Sequence, residues 1–360
     1  METVTVGIEG RGYDIHIEKE ILSKTGNFCR DLKTGRKAAI VTNTVVSRLF
    51  LDKVRSVMEE AGFNVYAIEI ADGEEHKNLD TLKGIYDRLI EFGFDRSSLL
   101  LALGGGVVGD ITGFAAATFL RGVPFVQLPT TLLAQVDSSI GGKTGVNHEK
   151  GKNLIGAFYQ PRMVIIDTTA LDSLPKREYL SGLAEIVKYG VVLDGEFFEF
   201  LAKNIDNLLN RDKDCLGKAI RRSCEIKASI VKQDEKETGL RAVLNFGHTL
   251  GHAVETLTGY KKYSHGEAVA IGMANAAKIA ESMGLASRPD TERICAIIKM
   301  LGLPVELPVF TASAYIDVLL HDKKTKDGGI NFVFNRGIGD YRILPVDDLH
   351  RLMKISGIGD

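Results

Sequence analysis

The chain predicts an α/β N-terminal domain with a mostly parallel sheet over residues 1–172, followed by an α-helical C-terminal domain over 173–360. Three observations carry this expectation. Short apolar runs alternate with helical periodicity through the first half, the pattern of a parallel sheet covered by helices on both faces. Strand signals nearly stop after Asp172, and from 176 to 322 the periodicity is almost wholly helical. At 360 residues the chain also exceeds the size at which a single core keeps growing.

Taken in order, residues 3–18 alternate apolar and polar around Gly10-Arg11-Gly12, an edge hairpin. A buried strand follows at 37–42, a helix at 45–61, a strand at 63–68 and a helix at 79–92. Residues 98–103 form the strongest apolar strand, and runs at 123–128 and 163–166 extend the sheet. Beyond 172, helical periodicity covers 177–193, 197–209, 214–233, 245–258 and 266–284. Strands at 330–334 and 340–344, joined through Arg336-Gly337-Ile338-Gly339, make a small hairpin on the helical domain.

A net charge of -2, with only short basic clusters at Arg221-Arg222 and Lys323-Lys324, leaves no face for nucleic acid and points to small-molecule partners. Cys29, Cys215, Cys224 and Cys295 contain no CxxC pair, against a disulfide framework or a structural zinc knot. A reducing cytoplasm is the expected location. No segment approaches the roughly 20 apolar residues that span a bilayer, and the start lacks a charged region followed by an apolar run, so neither membrane insertion nor export is expected.

The segment from Arg241 to Met273 packs three of the eight histidines among apolar residues. His248 and His252, four apart, share a helix face, and His265 opens a second helical run. Converging imidazoles can bind a metal; the alternative is a set of half-buried helix histidines, each bonded to a neighbour. Glu185, three residues before Lys188, can complete such a site with two histidines and leave positions open for substrate, as catalytic zinc requires. Without the histidines it reads as an intrahelical ion pair.

Gly104-Gly105-Gly106-Val107-Val108-Gly109-Asp110 follows the strongest strand and opens a helix. Glycines there let backbone N–H groups approach a phosphate, so the turn is read as a cradle for a dinucleotide, with a tight strand-to-helix connection as the alternative. Asp72-Gly73-Glu74-Glu75-His76-Lys77 adds acceptors for ribose hydroxyls, although alone it passes for a solvated turn. The stretch from Asp137 to Thr144 is similar to a Walker A loop, but Asp137 replaces the leading glycine and no helix is expected after it, which excludes a nucleoside triphosphatase. The loop 137–153, with Asp137, Lys143, Lys152 and Asn153, is longer than a connector needs and is expected to carry part of a site.

Several long motifs in order make the chain resemble the 3-dehydroquinate synthase family over nearly its full length: GGGVVGD at 104–110, LPTTLLAQVDSSIGGKTGVN at 128–147, KNLIGAFYQP at 152–161, GLAEIVKYG at 182–190, RAVLNFGHTLGHAVE at 241–255 and HGEAVAIGM at 265–273. The resemblance implies a Rossmann-like NAD-binding domain and a helical domain binding metal and substrate. It implies one zinc or cobalt ion on Glu185, His248 and His265. His252, which helical spacing offers as a ligand, would instead help hold the substrate phosphate with Asn245, Asn153, Lys143 and a lysine of the HDKK stretch, Lys323 or Lys324.

By the same resemblance, Arg241, Lys227, Glu237 and Lys188 surround the substrate's carboxylate and hydroxyls, and Asp137 touches a reacting hydroxyl. Arg121, in the FLRG segment, would reach the neighbouring subunit's site in a homodimer. NAD would be held by Asn43, Glu74, Lys77, Gly105, Gly106, Asp110, Thr130, Thr131 and Lys152; the family often has an aspartate where this chain has Asn43. The implied reaction converts 3-deoxy-D-arabino-heptulosonate 7-phosphate into 3-dehydroquinate and phosphate by transient oxidation, phosphate elimination, reduction and aldol closure. Among rivals, a metal-dependent polyol dehydrogenase would lack the pocket of Lys143, Asn153, Lys227, Arg241 and Asn245. Other sugar-phosphate cyclases, such as 2-deoxy-scyllo-inosose synthase, differ in the residues that read the carboxylate. A silent NAD-binding scaffold would have no use for the metal and lysine set.

Overall fold

A computed structural model describes residues 1–322 and 330–359, so Lys323 and Lys324 lie outside the described residues. The chain divides into two compact units: Met1–Leu174 with Ser223–Lys236, and Pro175–Arg222 with Glu237–Asp360.

The first unit is built on nine strands: β1 (Glu2–Val6), β2 (Tyr13–Glu18), β3 (Lys37–Asn43), β4 (Asn64–Ile70), β5 (Leu99–Gly104), β6 (Phe125–Pro129), β7 (Lys143–His148), β8 (Gly151–Phe158) and β9 (Met163–Asp167). Seven of them form one sheet in the order β1-β2-β9-β6-β5-β3-β4, parallel throughout except for the edge hairpin β1–β2. β5, β6 and β9 are buried along their whole length, as central parallel strands covered on both faces must be. Its helices are α1 (Thr25–Asp31), α2 (Thr44–Val46), α3 (Asp52–Glu60), α4 (Leu79–Glu91) and α5 (Gly106–Thr118).

Strand alternation assigns the helices to faces. Ala39, Val41, Leu100 and Ala102 pack with Leu82, Ile85, Leu89 and Ile111 of α4 and α5. Their neighbours Ala38, Ile40, Leu99 and Leu101 pack with Cys29, Val54 and Met58 of α1 and α3. The strand order reverses between β3 and β5, and at such a switch point the carboxyl ends of the strands open a crevice suited to ligands. Asn43 and Gly104 are the last residues of those two strands.

One expectation is corrected here. The long loop expected at 137–153 is instead a wide helical turn, Ala134–Ser138, followed by the antiparallel pair β7–β8. Its glycines serve strand pairing: a Cβ on Gly145 would sit 2.5 Å from the Ile155 carbonyl oxygen, and one on Gly156 2.2 Å from that of Thr144. Ser223–Lys236 groups with the first unit. The Cys224 thiol donates to the Gln135 carbonyl, Lys227 pairs with Asp137, and Glu235 accepts from Arg11 and Gln160. Periodicity identifies a helix but not the partner of each face.

The second unit holds α6 (Lys176–Leu193), α7 (Gly195–Lys203), α8 (Ile205–Leu209), the start of α9 (Lys213–Gln233), α10 (His248–Leu257), α11 (His265–Ser282), α12 (Arg288–Met300), α13 (Ala312–Asp322) and α14 (Leu349–Ile355). The hairpin β10 (Ile330–Asn335) and β11 (Tyr341–Val346) completes it. α10 begins three residues later than periodicity suggests, because Leu240–Asn245 is a 3₁₀ turn and Gly247 takes φ 78. Small residues on α11 let its neighbours approach closely: a Cβ on Gly272 would lie 1.9 Å from the Gly247 carbonyl oxygen. Among the described residues no helix is long and apolar enough to cross a membrane.

Candidate active site

Three elements of the second unit bring one candidate metal ligand each. Glu185 is fully buried midway along α6, His248 is the first residue of α10, and His265 the first of α11. The Nε2 atoms of His248 and His265 lie 3.4 and 3.5 Å from Glu185 Oε1, and one ligand atom from each residue falls within 4.8 Å of the others. Ligands about 2.1 Å from a tetrahedral zinc stand about 3.4 Å apart, so the spacing and the N/O donor set fit a divalent ion.

Local chemistry holds Glu185 and the start of α11 in place. Lys188, one helical turn after Glu185 and 1% exposed, hydrogen-bonds Glu185 Oε2. His265 follows the capping residue Ser264, whose hydroxyl accepts from the Glu267 N–H while Glu267 returns to the Ser264 N–H. Arg177 of α6 grips both Glu267 oxygens and the Lys262 carbonyl. The Gly266 N–H donates to Ser181 Oγ at 2.9 Å. Burial takes the His248 imidazole down to about 3. Burial also opposes charge on His265, but the carboxylates of Glu185 and Glu255 outweigh it and lift that group to about 10.

His252 projects beside this cluster, its ring 5.6 Å from that of His248 and 6.2 Å from that of His265. It falls in a second group with Glu255 and His265 rather than with Glu185. Arg241 is buried in the turn that precedes α10, and Asn245 donates to Glu237 Oε1 at 3.1 Å. Sequence reasoning passed over Glu255 and Arg177. The signal for Glu255 was available, since it lies seven residues after His248 on the same helix face.

In the first unit, α5 starts at the Gly-rich turn with no side-chain cap, leaving its N–H groups for a ligand. A Cβ on Gly105 would meet Thr131 Cγ2 at 3.0 Å and one on Gly106 would meet Ser138 Oγ at 3.1 Å, so the backbone of this turn lies close against both side chains. Val108 instead turns its side chain into the core, and Gly109 lies against Gln127. Lys77, 4% exposed, bonds Asp110 at 2.5 Å and Asn153 at 2.6 Å. Burial would discharge the ammonium, but Asp110 and Glu74 hold its pKa above the usual lysine value.

Around that pair the polar residues interlock. Glu74 accepts from Asn147, and Asn43 donates to Asp72 while capping α2. Thr130 is buried beside the half-buried Thr131, whereas Glu75 is exposed and His76 half-buried. Lys227 donates to the carbonyl and carboxylate of Asp137, both at 2.6 Å. Lys143 and Arg121 are exposed and Lys152 is half-buried; Arg121 sits in a turn with φ 67.

Family models described as 3-dehydroquinate synthase N-terminal and C-terminal match residues 67–181 and 182–325. The 3-dehydroquinate synthase of Geotalea uraniireducens (strain Rf4) is 61% identical over 360 residues, covering 100% of both chains. Among solved structures, 2-deoxy-scyllo-inosose synthase complexed with carbaglucose-6-phosphate, NAD+ and Co2+ is similar with a TM-score of 0.90 and 26% identity, covering 99% of this chain and 100% of its own. The 2-epi-5-epi-valiolone synthase of Streptomyces hygroscopicus subsp. jinggangensis 5008, with NAD+ and Zn2+ bound, gives 0.88 and 29%, covering 95% of each chain. With models matched through both halves and a full-length relative at this identity, the chain belongs to the 3-dehydroquinate synthase family.

Proposed function

We propose that the chain converts 3-deoxy-D-arabino-heptulosonate 7-phosphate to 3-dehydroquinate and phosphate, the second step of the shikimate pathway toward chorismate and the aromatic amino acids. The observation that carries the reading is the convergence of Glu185, His248 and His265 at tetrahedral ligand spacing in a member of this family. On this reading those three hold one zinc or cobalt ion, and the cradle at Gly105 and Gly106, with Asp72 to Lys77, Asn43, Asp110, Thr130, Thr131 and Lys152, holds NAD. Bound there, the ion would supply Lewis acidity to substrate hydroxyls and the nicotinamide would supply a reversible hydride acceptor.

The chain's own residues bind, orient and move protons. Lys188, fixed on Glu185, lies one turn along α6 and offers its ammonium to a substrate oxygen beside the ligands. Arg241 reads the substrate carboxylate, and Asn245 and Glu237 are held to each other. Lys227 holds the Asp137 carboxylate, which on this reading is oriented toward a reacting hydroxyl. Lys143, Asn153, His252 and a lysine of the HDKK stretch position the departing phosphate, which takes the proton itself. This explains a site rich in anion-binding groups rather than one built around a dedicated base. We place the protein in the cytoplasm as a homodimer, with the exposed Arg121 reaching the neighbouring site.

The test is phosphate release from this substrate with substoichiometric NAD, with and without a chelator, while NADH is followed. Chelator-sensitive release over many turnovers per NAD without net NADH is expected. No release, but steady NADH from glycerol, would move the protein to the polyol dehydrogenases.

A further inference from the structure

We infer that Glu255 is a positioning residue for the metal centre, its buried carboxylate accepting the Nδ1 proton of His265 and so aiming Nε2 of that ring at the ion. The inference rests on the metal reading above.

The two imidazoles of the set are arranged alike by different groups. His248 Nδ1 lies 3.1 Å from the Phe246 carbonyl oxygen, and its Nε2 faces Glu185 Oε1. A carbonyl has no proton to give, so in the neutral ring the single proton sits on Nδ1 and Nε2 presents a lone pair. His265 repeats the pattern, with Nδ1 3.5 Å from Glu255 Oε2 and Nε2 3.5 Å from Glu185 Oε1. An acceptor behind each ring therefore leaves the same nitrogen for the ion. Ligating histidines depend on such a partner to fix tautomer and ring orientation. Glu255 is 4% exposed, and its position two turns after His248 carries its side chain to the first residue of α11. A buried carboxylate requires proton donors or a cation, and His265 Nδ1 offers one such donor.

The same atoms admit one competing arrangement, because His252, Glu255 and His265 also lie within 4.8 Å of one another. Ligation at Nδ1 as well as Nε2 would require His265 to lose both ring protons. A neutral imidazole serves one ion only, and the pairing with Glu185 claims it.

The experiment uses the full-length chain, stripped of metal and titrated with Co2+ while its visible absorption is recorded. Zn2+ affinity is measured against a chromophoric chelator, and the metal-free melting temperature reports on the fold. Glu255→Gln, which keeps shape but removes charge, should weaken binding by about 10- to 100-fold and shift the Co2+ bands, with the metal-free melting temperature retained. Glu255→Asp, which keeps the charge, should recover part of the affinity and carries the test if the glutamine variant does not fold. Wild-type affinity and spectrum in the folded variant, with one ion bound per chain, would overturn this inference alone. Two ions per wild-type chain would also overturn it, and no ion at all would overturn the metal reading with it.

Discussion

Gly266→Ala probes the contact that sets His265 against Glu185. A Cβ on Gly266 would lie 2.2 Å from the Ser181 carbonyl oxygen and 2.4 Å from its Cα, backbone atoms of α6 that cannot rotate away. Ordinary contact begins at 3.4 Å, so α6 and the start of α11 must part by about 1.2 Å, in a core that does not deform freely. Overpacking of this kind costs about 1–3 kcal/mol, and the upper end applies because both obstacles are main chain. The functional cost is larger. On the proposed metal reading His265 is a ligand next to the substituted residue, and metal–ligand distances tolerate only about 0.2 Å. A misplacement near 1 Å lowers turnover about 100-fold. Urea unfolding and metal content after gel filtration measure the two effects separately. Gly84→Ala is the control: it lies exposed within α4 with nothing within 4 Å of its Cβ, and should gain about 1 kcal/mol. If Gly266→Ala unfolded within about 0.5 kcal/mol of the parent and bound metal equally well, the close approach would not be what places His265.

Lys77→Met strands Asp110 and should cost about 3 kcal/mol in urea unfolding, part of which Asp110→Asn in the same chain restores; an unchanged midpoint would mean the pair is idle. Glu185→Gln should leave the fold intact by circular dichroism and lose both bound metal and phosphate release, whereas normal turnover would remove Glu185 from the ligand set. Asp95, in the turn before β5, accepts from the Ser97 and Ser98 hydroxyls and the Ser97 N–H, and these bonds hold its pKa below the usual carboxylate value. A depressed carboxylate stabilises the fold above its unfolded pKa and loses that contribution as pH falls through the folded value. Asp95→Asn should therefore be less stable than the parent at neutral pH and indistinguishable from it in acid, as thermal melts across pH 2 to 7 would report on the scale set by ordinary carboxylate titration, from about 2 to 5.

What the sequence made legible follows from the range of the forces involved. Alternation and 3.6-residue periodicity are local, so the strands of the large sheet and most helices were visible before any contact was known. The β7–β8 hairpin was hidden because glycine reads as loop, yet Gly145 and Gly156 are there to bring two strands together. Ser223–Lys236 groups with the first unit, which periodicity does not reveal because a helix's pattern does not name the neighbour that covers it. The candidate metal site shows the same limit from the chemical side. Helical spacing offered His248 with His252, a pair on one element, and the structure sets those rings 5.6 Å apart. Glu185, His248 and His265 come from three separate helices, and no periodicity links them; the family motifs did. Even those motifs implied candidate ligands and not their supports. Arg177 on Glu267 and Glu255 behind His265 emerge only when α6, α10 and α11 are packed, because each acts on a residue belonging to another element. A site's chemistry can be read from residue types along the chain, but the accuracy of its geometry belongs to contacts between helices.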